Sequence, residues 1–133
     1  MKGARLLEAS HLGACTELMA SLPLFQRYGL TQEKARVALL GAQERQEPVW
    51  VAESDAGGVL GLAWVQPLGL FMRSPYLKWL AVAPGVHGGG VGKQLLRAAE
   101  EAARAFFERR FVDWLREDLR IGRDVEVDVR WTE

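Results

Sequence analysis

Only one cysteine, Cys15, stands in the 133-residue chain, so no internal disulfide can form and a small secreted scaffold held by cross-links is excluded. Net charge is absent as well. The 17 Lys and Arg are matched by 17 Asp and Glu, which removes the global basic excess that holds a protein to nucleic acid or to an anionic membrane. Long apolar runs are missing: the longest, residues 59–65, is far short of the roughly 18 residues of a membrane-spanning helix. Near the N-terminus Glu8, His11 and Glu17 break any apolar stretch before the core of a signal peptide could form. Repeats, linkers and low-complexity tracts are not found. What remains, 49% hydrophobic and 26% charged residues, suits a single domain over residues 1–133 with its own core. The expectation is a cytoplasmic domain with no metal, no nucleic-acid partner and no membrane contact.

Residues 4–7 read as a short strand, and Ser10 stands where a helix N-cap belongs, ahead of Leu12, Cys15, Leu18, Met19 and Leu22 at helical spacing. Pro23 and Gly29 bracket a turn. Thr31 then caps a second helix carried by Ala35, Val37, Ala38, Leu39 and Ala42, which ends before Pro48. Runs rich in Val, Leu and Trp at 49–53, 59–66 and 77–82 predict three consecutive strands, the first two forming a hairpin about Asp55, Ala56, Gly57 and Gly58, with 67–75 as a connection. Residues 93–120, without Gly or Pro, predict one long helix stopped by Gly122. Its charges read as a solvated, self-paired face, since Glu100 with Arg104 and Arg109 with Asp113 fall at i,i+4. Val125, Val127, Val129 and Trp131 alternate with Asp124, Glu126, Asp128 and Arg130, the pattern of a half-buried strand. Cys15 sits on the apolar face of the first helix with no His or Asp partner in view, and reads as buried and inert.

The stretch LAVAPGVHGGGVGK, from Leu80 to Lys93, is a strand, a proline exit, four glycines within five residues and the start of a helix. Glycines at such a turn admit positive φ and close approach of a ligand, so that successive N–H groups and the positive end of the helix dipole converge on an anion. A P-loop is excluded, because His87 stands where it needs Gly and Gln94 where it needs Ser or Thr. The dinucleotide fingerprint is excluded too: Gly88 and Gly90 would require Gly at Lys93. The loop resembles instead the coenzyme A loop of the GNAT N-acetyltransferase superfamily, with His87, Gly90 and Gly92 in the three pattern positions. The order of elements upstream is similar to that family's, as is the segment Leu24-Phe25-Gln26-Arg27-Tyr28-Gly29-Leu30. By this resemblance the fold is α/β (α+β): a mixed, mostly antiparallel central sheet flanked by helices, with one long helix after the glycine loop. The resemblance further implies that amides of Gly88, Gly89, Gly90, Val91 and Gly92 hold the coenzyme A pyrophosphate. Leu80, Ala81 and Val82 would pair with the pantetheine arm. Many members carry Arg at the position of His87 and a basic residue at Gly89; here Lys93 is the cation left.

The implied activity is transfer of an acetyl group from acetyl-CoA to an amine of a small molecule or protein. The competing expectation is a catalytically weak or inactive GNAT-like module that binds a coenzyme A species or a protein. A backbone N–H near Val82 would meet the oxyanion. Phe106-Phe107-Glu108-Arg109-Arg110-Phe111 resembles the family segment that carries a Tyr acid, with Phe107 in the Tyr position, where it cannot donate a proton. Tyr28 and Tyr76 are the substitutes the sequence offers, and Glu53 the candidate base, with a solvated strand-end role as the plainer reading. Walls for the acceptor would come from residues 25–28 and 64–76, including Trp64, Gln66, Arg73 and Tyr76. The family's fifth strand, which follows the glycine-loop helix, is missing here. A helix that overshoots the preceding strand would deliver residues 124–131 to a second subunit, giving a domain-swapped homodimer. Otherwise the helix breaks near 109–111 and the terminal strand returns to its own sheet.

Overall fold

A computed structural model describes residues 3–70, 74–86 and 89–117. Alternation in the Val- and Trp-rich runs sets the sheet, because successive side chains along a strand point to opposite faces. Four antiparallel strands lie in sequence order: β1 (Ala4–Leu6), β2 (Val49–Glu53), β3 (Val59–Leu70) and β4 (Ser74–Val82). One face carries Val49, Val51, Leu62, Trp64 and Ala81 into a core with Leu12, Cys15, Met19 and Leu39. These last come from α1 (Leu12–Ser21) and α3 (Gln32–Glu44), with a short α2 (Pro23–Arg27) between them. The other face sets Ala52, Ala63 and Val65 against Val91, Leu95 and Ala99 of α4 (Val91–Glu117). Gly61 makes that contact possible: a Cβ there would meet the Ala81 carbonyl oxygen at 2.7 Å and Leu95 Cδ1 at 2.9 Å.

The β2–β3 hairpin turns as expected. Ser54 and Gly58 exchange a 2.8 Å backbone bond, Ser54 Oγ accepts the Gly58 N–H at 2.9 Å, and Gly57 takes φ +89°. The connection expected at 67–75 is instead mostly strand. Pro67 falls where the β3–β4 register shifts and Pro75 on an outer strand, the two settings in which a missing N–H breaks no ladder bond. Residues 23–29 are not a simple turn either, since Pro23 starts helix α2 and only Tyr28 and Gly29 turn. Thr31 caps α3 as expected, its Oγ1 accepting the Lys34 N–H at 3.2 Å. Ser10 does not cap α1; the chain enters through a 3-10 turn over Ala9–His11, and the His11 N–H donates to the Glu8 carbonyl at 2.9 Å.

α4 runs unbroken for 27 residues. The expected continuity from the glycine loop through 103–107 is therefore found, and the alternative of a break near 109–111 is not. No strand intervenes between glycine loop and helix end among the described residues, and none pairs with the outer edge of β4. The strand expected at 124–131 lies outside the described residues. No described helix is long and apolar enough to cross a membrane.

Candidate functional site

Leu80, Ala81 and Val82 end β4, each paired on its inner side with β3, through Ala63, Leu62 and Gly61. Ala83 extends the ladder by donating to the Leu60 carbonyl at 2.8 Å. The chain then turns through Pro84 and Gly85, the latter at φ +87°, and comes back to Gly89 and Gly90. Gly90 takes φ +82°, a conformation that costs an L-residue about 1–2 kcal/mol. The first bond of α4 runs from the Gln94 N–H to the Gly90 carbonyl at 3.0 Å. As the first residues of α4, Val91, Gly92 and Lys93 have N–H groups with no acceptor within the helix itself. Val91 is buried and anchors the turn, while Lys93 is exposed. The positive end of a long helix favours a negative charge. His87 and Gly88, expected to belong to the site, lie outside the described residues.

The three residues considered for proton transfer are not brought together. Tyr28 closes α2 and is 83% exposed; Tyr76 is half-exposed and faces Gln66 across β3–β4. Glu53 faces Val59, at the other end of β3, so about 23 Å of strand separates the rows of Glu53 and Tyr76. Glu53 is also not the solvated strand-end residue expected. It is 6% exposed, hydrogen-bonded to His11 Nε2, with Arg5 Nη1 at 3.8 Å. The Glu8 N–H donates to His11 Nδ1 at 2.9 Å, which fixes the proton of the neutral ring on Nε2 and aims it at the Glu53 carboxylate. Sequence reasoning missed this pair. The signal was present in the alternation Val49, Val51, Glu53, which puts Glu53 on the inward face.

Trp64 is wholly buried and belongs to the core, which removes it as an acceptor wall. Its ring stands perpendicular to Trp79 at 4.9 Å between centroids, and Phe25 stacks on Trp79 at 5.5 Å. The register skips Lys78, opposite the junction of Trp64 and Val65, and its Nζ lies 4.4 Å from the Trp64 ring centroid. Trp64 Nε1 donates to Glu47 at 3.1 Å, and Arg45 grips the same carboxylate at 3.1 and 3.2 Å. Burial is the strongest single influence on Glu47 and pushes its pKa up, but the bonds from Arg45 and Trp64 together outweigh it and hold the group below its ordinary value. Burial alone acts on Cys15, whose thiol is pushed up to about 12 and is inert as expected. Phe107 shares a small cavity with Pro75 at the start of β4, about 24 Å along α4 from the glycine loop. The segment resembling the family's Tyr-bearing one is thus remote from the anion site.

The family model for the acetyltransferase (GNAT) domain matches residues 45–122, from the approach to β2 through the glycine loop and α4. The chain belongs to the GNAT acetyltransferase family, whose members transfer an acyl group with acetyl-CoA as co-substrate. Among solved structures it is similar to the ribosomal-protein-alanine N-acetyltransferase of Brucella melitensis, at 27% identity and a TM-score of 0.63 over 77% of this chain and 67% of that one. An N-acetyltransferase from Staphylococcus aureus Mu50 matches at 22% identity and 0.63, over 77% and 66%. A Trypanosoma brucei acetyltransferase matches at 20% and 0.56, over 98% of both chains. These last two show the shared fold. No curated protein matches the sequence.

Proposed function

We propose that this protein is an N-acetyltransferase that moves the acetyl group of acetyl-CoA to an amine of a small molecule or protein. The observation that carries the reading is the line formed by the outer edge of β4, Gly90 at positive φ and the first turn of α4. Amides of Gly88, Gly89, Gly90, Val91 and Gly92 hold the pyrophosphate, His87 and Lys93 flank it, and Leu80, Ala81 and Val82 offer backbone groups to the pantetheine arm. The amine nitrogen attacks the thioester carbonyl, the C–S bond breaks, the amine loses a proton and coenzyme A leaves as thiol. A backbone N–H near Val82 meets the oxyanion. Water, Tyr28 or Tyr76 serves the leaving thiolate, and Glu53 acts through His11. No metal takes part.

The domain spans residues 1–133, works in the cytoplasm and forms a two-fold dimer in which residues 124–131 of each copy take the place of the missing fifth strand beside β4 in the other, splayed from residues 80–82 so that the pantetheine arm slots between. The unbroken α4 supports the swap. Calorimetry with acetyl-CoA tests the reading: millimolar binding or tighter is expected, and lost in Gly90→Trp, which crowds the loop and strains its backbone. Thiol release across a panel of amines then distinguishes an enzyme from a module that only binds. No binding by the wild-type chain overturns both.

A further inference from the structure

α4 lies along β3, with Leu95 against Gly61 at one end and Ala102, Ala105 and Phe106 near Pro67 at the other. A helix with its side chains is about 10 Å across, whereas four strands spaced about 4.8 Å apart make a wider sheet. Among the described residues one helix leaves part of the face uncovered, and over β1 and β2 the gap is a cavity of about 760 Å³. That volume falls among small-molecule sites, roughly 300–1,000 Å³.

Its walls are flat and apolar: Trp50, Pro48 and Pro67 from the sheet side, Phe106 from α4. Arg109 and Arg110 are exposed at its helix side, and Arg109 lies 6.0 Å from the Phe106 ring centroid. Of the lining carboxylates, Glu47 is already held by Arg45, and Asp113 stands one turn beyond Arg109. Among the described lining residues the three arginines outnumber the two carboxylates. The arginine excess calls for an anionic oxygen acceptor. Phe106 is about 22 Å along the helix from Val91, so the cavity is separate from the glycine loop.

We propose that this cavity is a second ligand site, for a small organic anion with a flat apolar body such as an aromatic carboxylate. The ring lies between Trp50 and Phe106, and the carboxylate meets the forked donors of Arg110 and Arg109. The full chain is titrated calorimetrically with 2-naphthoate and with 2-naphthalenemethanol, its uncharged counterpart, each with and without coenzyme A. Naphthoate is expected to bind with a sub-millimolar Kd, unaffected by coenzyme A, and about tenfold tighter than the alcohol. Arg109→Gln with Arg110→Gln, both on the surface, removes that preference and leaves binding of the alcohol unchanged. Absence of binding at millimolar naphthoate, equal affinity for the alcohol, competition by coenzyme A, or indifference to the paired Arg substitutions would each overturn the proposal.

Discussion

His11 holds two partners at once, accepting the Glu8 N–H on Nδ1 and donating from Nε2 to Glu53. Removing the ring takes a hydrogen-bond donor from a buried carboxylate, so His11→Ala is expected to cost about 3 kcal/mol in urea unfolding. Glu53→Gln keeps an acceptor for the imidazole N–H and should cost nearer about 1 kcal/mol; the reverse ranking would show that the pair is not the stabilising contact. Glu47 carries a pH dependence of known sign. Its carboxyl is held below the ordinary 4.5 in the fold, so its contribution is present above that value and lost as pH falls through the lower, folded one. The stability difference between wild type and Glu47→Gln should therefore be constant from pH 7 to about 5 and shrink on further acidification. A difference that grows in acid contradicts the assignment. Alternation made the inward face of Glu53 legible in the sequence, but not its partner, because His11 and Glu53 meet only once β1 and α1 have folded back on β2.

At the scale of elements, Gly61 sets how closely α4 can lie on the sheet. Gly61→Ala brings a methyl group against backbone and a core Leu at once, and a loss of about 2 kcal/mol is expected with α4 displaced. Unchanged thermal stability would mean that α4 moves freely on β3. Strand β2, the β2–β3 turn, helix α3 with its Thr31 cap, and the start of α4 were all legible, since each rests on local chemistry: alternation, glycines in a turn, a hydroxyl cap, a run of helix formers. The tails of β3 and β4 were not, because Pro67 and Pro75 suggest a break unless the register shift and the outer strand position that accommodate them are known. Helix α2 was hidden for a related reason: Pro23 reads as a stop, yet at the first position of a helix it is favourable. The positive φ of Gly90 was legible from composition alone. The 760 Å³ cavity was not, because it arises from the width of one helix against four strands.

For the whole molecule, the lengths of α4 and β4 bear on assembly. Twenty-seven helical residues span about 40 Å, and the nine of β4 about 30 Å, so the helix overshoots by about 10 Å, less than a shorter strand would have allowed. Light scattering should give a dimer mass across micromolar concentrations, and deletion of residues 124–133 should abolish it; a monomer at all concentrations rules out the swap. The sheet has another consequence, in time rather than in space. β2, β3 and β4 follow one another within a few residues, but Ala4 pairs with Ala52, 48 positions later. Closing so long a loop is entropically slow, so β1 is expected to dock after the three-strand meander has crossed the folding barrier. The His11–Glu53 contact would then form on the native side of that barrier. In stopped-flow kinetics, His11→Ala should accelerate unfolding and leave the folding rate nearly unchanged, the signature of the last latch to close and the first to open.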